Sequence, residues 1–265
     1  MLLTKELDAA IGRAEIAGIR NAIATTRRLA PQIGAESIEI AGGLVAFTGA
    51  DSPLSQAYGV GADEPVTADG VAAITTFYES RGATPRVFVT PLADSTLART
   101  LAAAGYAPAE YENVLAGGDL ETHARFDDRI SPATDLHAWA RASAQAFMDR
   151  SEPEPGEEFI GLVIASSASV LPLEARVDGA IVATAAMDAS AQCAGLFAGS
   201  TMPAFRNRGW HLVMIRDRIA RARDAGARFV RATAKPASAS ERNFYRCGFT
   251  TLYTRVLWEL KPRST

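Results

Sequence analysis

Apolar residues recur along this chain at two spacings, and stretches of one alternate with stretches of the other. Between 2 and 30 the positions Leu3, Leu7, Ala10, Ile11, Ile16, Ile19, Ile23 and Leu29 follow at three- and four-residue steps, the period of a helix with one buried face. Pro31 ends that run. The period then drops towards two: 37–41 and 44–48, either side of Gly42-Gly43, predict two strands joined by a tight turn. Residues 51–64 are rich in Gly, Ser and Pro and read as loop. Thr67 is placed to cap a helix over 68–81 that turns Val71, Ile74, Phe77 and Tyr78 inward. A strand at 86–90, a short helix at 95–104 stopped by Gly105 and a returning strand at 111–120 complete the first half.

The second half runs through a similar series. A helix over 135–148 carries Leu136, Trp139, Ala140, Ala144 and Phe147. An acidic loop with two prolines occupies 149–158, and a second helix covers 157–166. Strands follow at 170–177, 180–188 and 193–202, the first two joined by Asp178-Gly179, a strong hairpin signal. Gly199 to Ile215 then links a strand end, a loop with the core Arg206-Asn207-Arg208-Gly209, and an amphipathic helix from about Trp210 with Leu212, Ile215, Ile219 and Ala222 on one stripe. A strand at 228–234, a helix at 240–247, Gly248-Phe249 and a strand at 252–260 close the chain.

The loop before Trp210 is the stretch with chemistry in it. A loop feeding a helix N-terminus turns several free N–H groups one way, at the positive end of the helix dipole, and so makes an anion site suited to phosphate. Charge agrees with that placement. Residues 1–128 hold 9 Lys/Arg against 17 Asp/Glu, and residues 129–265 hold 18 against 13, so the half with the loop is basic within a chain of net charge −3.

The two halves end on one plan: strand, proline, short helix, Gly-aromatic, returning strand. The first runs from Arg86 through Pro91 and Gly105-Tyr106, the second from Arg228 through Pro236 and Gly248-Phe249. The spacing of more than a hundred residues predicts two copies of one fold, split as 1–128 and 129–265. The copies differ where the anion loop stands. In the first half the corresponding helix opens with Asp63-Glu64-Pro65, acidic and without a loop glycine, so it is expected not to bind a phosphate.

Composition narrows the class. With 48% hydrophobic and 22% charged residues the chain is globular, and no apolar run approaches the roughly 20 residues of a membrane span. The N-terminus lacks the apolar core of a signal peptide, and two cysteines, Cys193 and Cys247, suit a reducing cytoplasm. The three histidines have no ligand spacing, so no metal is expected. The arginines of 216–231 alternate with Asp217 and Asp224 without interleaved aromatics, which predicts a solvated face and no nucleic-acid partner.

With its context of strand, loop, amphipathic helix, strand and Gly-aromatic, the run Arg206-Asn207-Arg208-Gly209-Trp210-His211 resembles the cofactor signature of the GCN5-related N-acetyltransferases, Gln/Arg-x-x-Gly-x-Gly/Ala. His211 departs from the small residue expected last. The resemblance covers Cys193 to Leu260 most closely. It implies an α/β (α+β) chain of two tandem domains of that fold, each a mixed, mostly antiparallel twisted sheet flanked by helices.

It further implies acetyl-CoA as cosubstrate. The pyrophosphate would lie on the N–H groups of Arg208 to His211, where the loop Arg206-Asn207-Arg208-Gly209 enters the helix at Trp210, and the pantetheine along Thr201 and Met202. Ser240 and Asn243 would approach the pantetheine or the adenine end, although Ser240 is equally a plain helix cap. The acceptor would be a primary amine attacking directly. The family's acid, a tyrosine four residues before the Gly of Gly-Phe, is replaced by Phe244, with Tyr245 next to it as the candidate. Asp188 and Glu174 are the carboxylates beside the expected acceptor site, and the acidic loop from Glu152 to Glu158 is a candidate wall for a cationic amine. A CoA-binding or CoA-sensing protein without turnover is the alternative, and the chain is expected to be a monomer or a homodimer.

Overall fold

A computed structural model describes residues 3–189 and 192–262. The chain divides into two compact units that do not follow its order. One consists of the chain up to Ala14 with Val114–Leu252, the other of Glu15–Asn113 with the chain from Tyr253 on. Each unit is therefore completed by a strand segment from the other half of the sequence.

In the second of these units, helix α1 (Lys5–Leu29, shared between the units) leads to strands β1 (Glu36–Ile40) and β2 (Gly43–Phe47), the antiparallel pair that the two runs around Gly42-Gly43 predict. The loop expected over 51–64 contains a strand, β3 (Ala57–Tyr58), parallel to β4 (Arg86–Val89). Two residues are too few to show a period. Between them lies α2 (Ala68–Glu79), whose N-cap is Thr67 as predicted, the side chain accepting from the Gly70 N–H at 3.1 Å. Helix α3 (Leu97–Ala103) and strand β5 (Tyr106–Gly117) follow. The unit's sheet is ordered β1-β2-β3-β4 and then the far end of the last strand of the chain, β11 (Thr250–Leu260), where Val256–Glu259 pair antiparallel with β4. On β11, Arg255 is buried with Glu15 (2.8 Å) and Glu112 (2.7 Å) on its guanidinium and the Phe88 ring 3.9 Å away.

The other unit holds α4 (Leu120–His123), β6 (Ile130–Pro132), α5 (Leu136–Met148), α6 (Pro155–Ala165), β7 (Val170–Val177), β8 (Ala180–Asp188), β9 (Cys193–Thr201), α7 (Trp210–Asp224), β10 (Phe229–Ala234) and α8 (Ala239–Arg246). Neither α4 nor β6 was expected, because four and three residues hold too few repeats to show a pattern. The sheet order is β5-β10-β9-β8-β7-β6, with β9 and β10 parallel and β6 to β9 antiparallel. Asp178 and Gly179, both at positive φ (50° and 81°), make the predicted β7–β8 turn.

Helices cover both faces. Trp210, Met214, Ile215 and Ile219 of α7 pack with Ala183, Ala185, Met187 and Leu196 on one face; Trp139 and Ala140 of α5 pack with Ala186 and Phe197 on the other. The solvated face expected of the α7 charges is corrected in one respect: Asp217 and Arg218 are buried. Asp217 can go inside because it accepts from the Asp127 N–H and from Arg221, and Arg218 because backbone carbonyls surround it.

Candidate functional site

Strand β9 and helix α7 build the site between them. The β9–β10 ladder runs from Cys193↔Phe229 to Leu196↔Ala232, and in this register Phe197–Thr201 continue on β9 without a partner on β10. On its other side β9 slips against β8 between Thr184 and Ala186, with Ala198 at φ 48°. A non-glycine residue at positive φ in a strand marks a bulge, which bends the strand and frees a backbone group. The end of β9 is therefore parted from β10 and kinked at Ala198.

The connection Met202 to Gly209 then turns to the N-terminus of α7. Asn207 (φ 61°) and Gly209 (φ 83°) are both left-handed, and beyond its two chain neighbours no atom of the described residues lies within 4 Å of where a Cβ on Gly209 would stand. Gly209 caps α7 without any side chain. The first helical bond is Val213 N–H to the Gly209 carbonyl at 3.1 Å, so the N–H groups of residues 207–212 have no acceptor among the described residues. That is an unused set of donors at the positive end of a 15-residue helix, with open space in front of it.

The sequence-expected residues sort into three groups around this loop. The first supports its shape. Arg206 donates to the Thr201 and Ala146 carbonyls (3.3 and 2.9 Å) and lies 3.3 Å from Asp149, tying the loop to β9 and α5. Arg208 lies over the Phe205 ring, and the Trp210 side chain is buried under Arg129, so of these two Trp210 can offer a ligand only its backbone. The Met202 N–H is spent on the Val182 carbonyl.

The second group meets in the parting between β9 and β10. The His211 ring turns inward, its Nδ1 3.1 Å from Asn243 Nδ2 and its face edge-on to Phe244. Burial first and Arg218 second hold His211 neutral, its pKa lowered to about 4.

Tyr245 falls in the third group, away from the gap. Phe244 is 4% exposed and Tyr245 43%, and the Tyr245 hydroxyl is bonded to Glu241 (2.8 Å) and Thr251 (2.7 Å). One residue turns a helix face by about 100°, so the two neighbours cannot share the gap. Ser240 does not cap α8. That role belongs to Ser238, which has extended backbone and accepts from the Glu241 N–H at 3.1 Å; Ser240 lies in the first helical turn.

The carboxylates separate as well. Asp188 accepts from the Gly195 N–H at 2.7 Å and from Arg231 at 3.1 Å, at the far end of β9 from the loop. Glu174 stands in register with Thr184, and Thr184 with Ser200, the two hydroxyls 2.7 Å apart. Glu174 is 2% exposed; Arg176 takes its Oε1, and its Oε2 has no partner among the described residues. Register is what makes this row, and spacing along the sequence gave no sign of it. The acidic loop is largely neutralised: Glu152 and Glu158 pair with Arg141, and Glu154 and Glu157 with Arg150.

No protein-family model matches the chain, and no curated protein sequence matches it. Solved structures do. A GCN5-related N-acetyltransferase from Kribbella flavida is 17% identical, with 91% of this chain and 95% of that one covered and a TM-score of 0.63. A second GCN5-related N-acetyltransferase, from Sphaerobacter thermophilus, is 18% identical over 73% of this chain and 69% of that one (TM-score 0.54). A tandem GNAT protein from the clavulanic acid biosynthesis pathway is 15% identical over 84% of this chain and 79% of that one (TM-score 0.55). The chain is thus similar, nearly end to end, to acetyltransferases of this kind, including a tandem one, and its fold is theirs.

Proposed function

We propose that the chain is an acetyl-CoA-dependent N-acetyltransferase that acts on a primary amine. The observation that carries the reading is the loop Arg206–Gly209: unused N–H groups at the N-terminus of α7, next to a strand that has parted from its neighbour. The loop fits a pyrophosphate, because Gly209 leaves room for close approach and nothing among the described residues competes for the donors. The parted end of β9 offers free strand edge on which a pantetheine could lie, and Asn243 stands at that gap. Acetyl-CoA would supply an activated acyl group, and the chain would supply its placement.

Two faces of β9 divide the work in this reading. Ser200, Thr184 and Glu174 form a polar row on the side of α5 and α6, with an unpartnered carboxylate oxygen able to take an amine proton through a relay of hydroxyls or water. Asp188 is too fully engaged for that role. Residues 129–265 would form the binding copy and residues 1–128 a copy without the site. The location would be the cytoplasm, and the oligomer a monomer or a homodimer.

A CoA-binding protein without turnover is favoured by one observation, the removal of the Tyr245 hydroxyl from the gap. Calorimetry with acetyl-CoA, followed by thiol release over a panel of primary amines, separates the two. Binding with release from some amine is the expected result. Binding without release from any of them leaves the sensor, and absence of binding overturns both.

A further inference from the structure

Successive residues of a strand face opposite ways. Where Ser200 faces the Glu174 row, Gly199 faces α7. A Cβ on Gly199 would stand 3.3 Å from His211 Nε2 and 3.4 Å from Arg218 Nη2, so two nitrogens converge on a notch that exists because this residue has no side chain.

Both nitrogens carry hydrogen towards it. Arg246 donates to Asn243 Oδ1 at 2.9 Å, which fixes the amide with Nδ2 towards His211; Nδ1 of the ring must then accept, and the proton sits on Nε2. Arg218 is 1% exposed. Its Nε donates to the Met214 carbonyl, and its Nη1 to the carbonyls of Ala186 and Phe197 (3.0 and 3.1 Å), while Nη2 has no partner among the described residues. A buried cation held only by carbonyls, with a spare donor, is a standing attraction for negative charge.

We infer that the Gly199 notch receives the sulfur of coenzyme A as it leaves, with His211 Nε2–H and Arg218 Nη2–H as its two hydrogen-bond donors. The inference rests on the acetyltransferase reading and deepens it. The face of the sheet on which Glu174 of β7 and Ser200 of β9 lie, with its unpartnered carboxylate oxygen, suits the amine, and the opposite face, with two donors and a positive charge, suits the departing thiolate. In the step, the amine nitrogen bonds to the acyl carbon and the carbon–sulfur bond breaks with its electron pair going to sulfur. The amine proton passes to the Glu174 side, and the thiolate takes a proton from water after release. His211 keeps its proton throughout and acts as a neutral donor. It stands beside Phe244, which occupies the position where the resemblance expects a tyrosine, so a donor on α7 takes over from one missing on α8.

Other charges around the notch are few among the described residues. On α7, Asp217 is turned to Asp127 and Arg221. On α8, Glu241 is taken up by the Ala237 N–H and Tyr245, and the Cys247 thiol is pushed up by burial and stays neutral. On β8 and β9 the neighbours are the Ala186 and Phe197 carbonyls, and Arg231 of β10 is paired with Asp188.

The test is a pH titration of the ultraviolet thiolate absorbance of coenzyme A bound to the full chain. The wild type should raise the ionisation constant of the bound thiol at least about tenfold over free coenzyme A. His211→Phe removes the donor but keeps a ring, and Gly199→Ala fills the notch without touching either donor; both should lose most of that gain. His211→Gln, which restores an N–H, should recover part of it. Calorimetry on each protein checks that coenzyme A is bound. A thiol that titrates in both variants as in the wild type, while binding persists, overturns the notch and leaves the acetyltransferase reading standing. Failure of the wild type to bind coenzyme A overturns both.

Discussion

Two helices, α2 and α7, occupy corresponding places in the two halves of the chain, and they treat their first turns in opposite ways. At α2 the Thr67 hydroxyl takes the Gly70 N–H, Val71 bonds the Thr67 carbonyl, and Asp63, Glu64 and Asp69 add negative charge near the same end. At α7 a left-handed glycine caps the helix with no side chain, and Arg206 and Arg208 flank it. One helix bonds a donor of its first turn itself, and the other leaves its first-turn donors unused among the described residues.

The buried arginines repeat the contrast. Arg255 is matched by two carboxylates that hold its pKa well above the ordinary range in spite of burial, so its charge is spent on structure. Arg218 has carbonyls alone in hydrogen-bond contact, and burial lowers its pKa to about 10, which still leaves it charged at neutral pH. A charge compensated from within stabilises a unit, whereas one left open can serve a ligand.

The largest effect is expected from removing the compensated charge. Arg255→Met strands Glu15 and Glu112 and is expected to cost about 3 kcal/mol of stability, at the lower end for a broken buried pair because both glutamates are partly wet. Urea unfolding measures it, and a loss below about 1 kcal/mol would mean that the triad is not compensating anything.

Gly209→Asp should weaken acetyl-CoA binding roughly a hundredfold with little change in fold, because it combines left-handed strain with a carboxylate facing the phosphates. Calorimetry and circular dichroism together check it; unchanged affinity would remove the loop from the site.

His211 gives a pH signature. Its folded pKa lies below the unfolded value of about 6.5, so the unfolded chain takes up the proton first as pH falls. Its contribution is whole above about pH 6.5 and is lost on acidification towards about 4, an expected ~1–2 kcal/mol that His211→Phe should abolish. Urea midpoints at pH 7 and pH 5 for both proteins read this directly.

The smallest effect is expected at the capped helix. Thr67→Ala should cost about 1 kcal/mol of stability and bring no gain in acetyl-CoA affinity, since Asp63, Glu64 and Asp69 keep negative charge near that helix end in the sequence. A measurable gain would show that the cap alone separates the two helices.

Much of this was legible in the sequence because it is local. The period of the apolar residues placed most of the long helices and strands to within about three residues, although β5 begins five residues before the expected 111, and Asp178-Gly179 set the β7–β8 hairpin. Residue types alone singled out the Arg206–Gly209 loop, which stands at a helix N-terminus whose N–H groups have no acceptor among the described residues. Thr67 was readable as a cap because capping is decided within three residues. Ser238 was missed because Ser238 and Ser240 both offer a hydroxyl, and only the backbone conformation chooses between them. The strands Ala57–Tyr58 and Ile130–Pro132 are held by their neighbours and have no pattern of their own.

Tertiary structure decided whatever depends on residues distant in sequence. Strand register put Glu174, Thr184 and Ser200 in one row, although ten and sixteen residues separate them. The rotation of α8 chose Phe244 over Tyr245 for the inner face, and packing turned His211 towards Gly199 and Asn243. Burial made Arg218 an inside charge on a helix face that its sequence describes as solvated. The sequence located the helix end with unused donors, because a helix end carries its donors with it. What lies deeper in the gap was set by which side chains the packed strands and helices bring together.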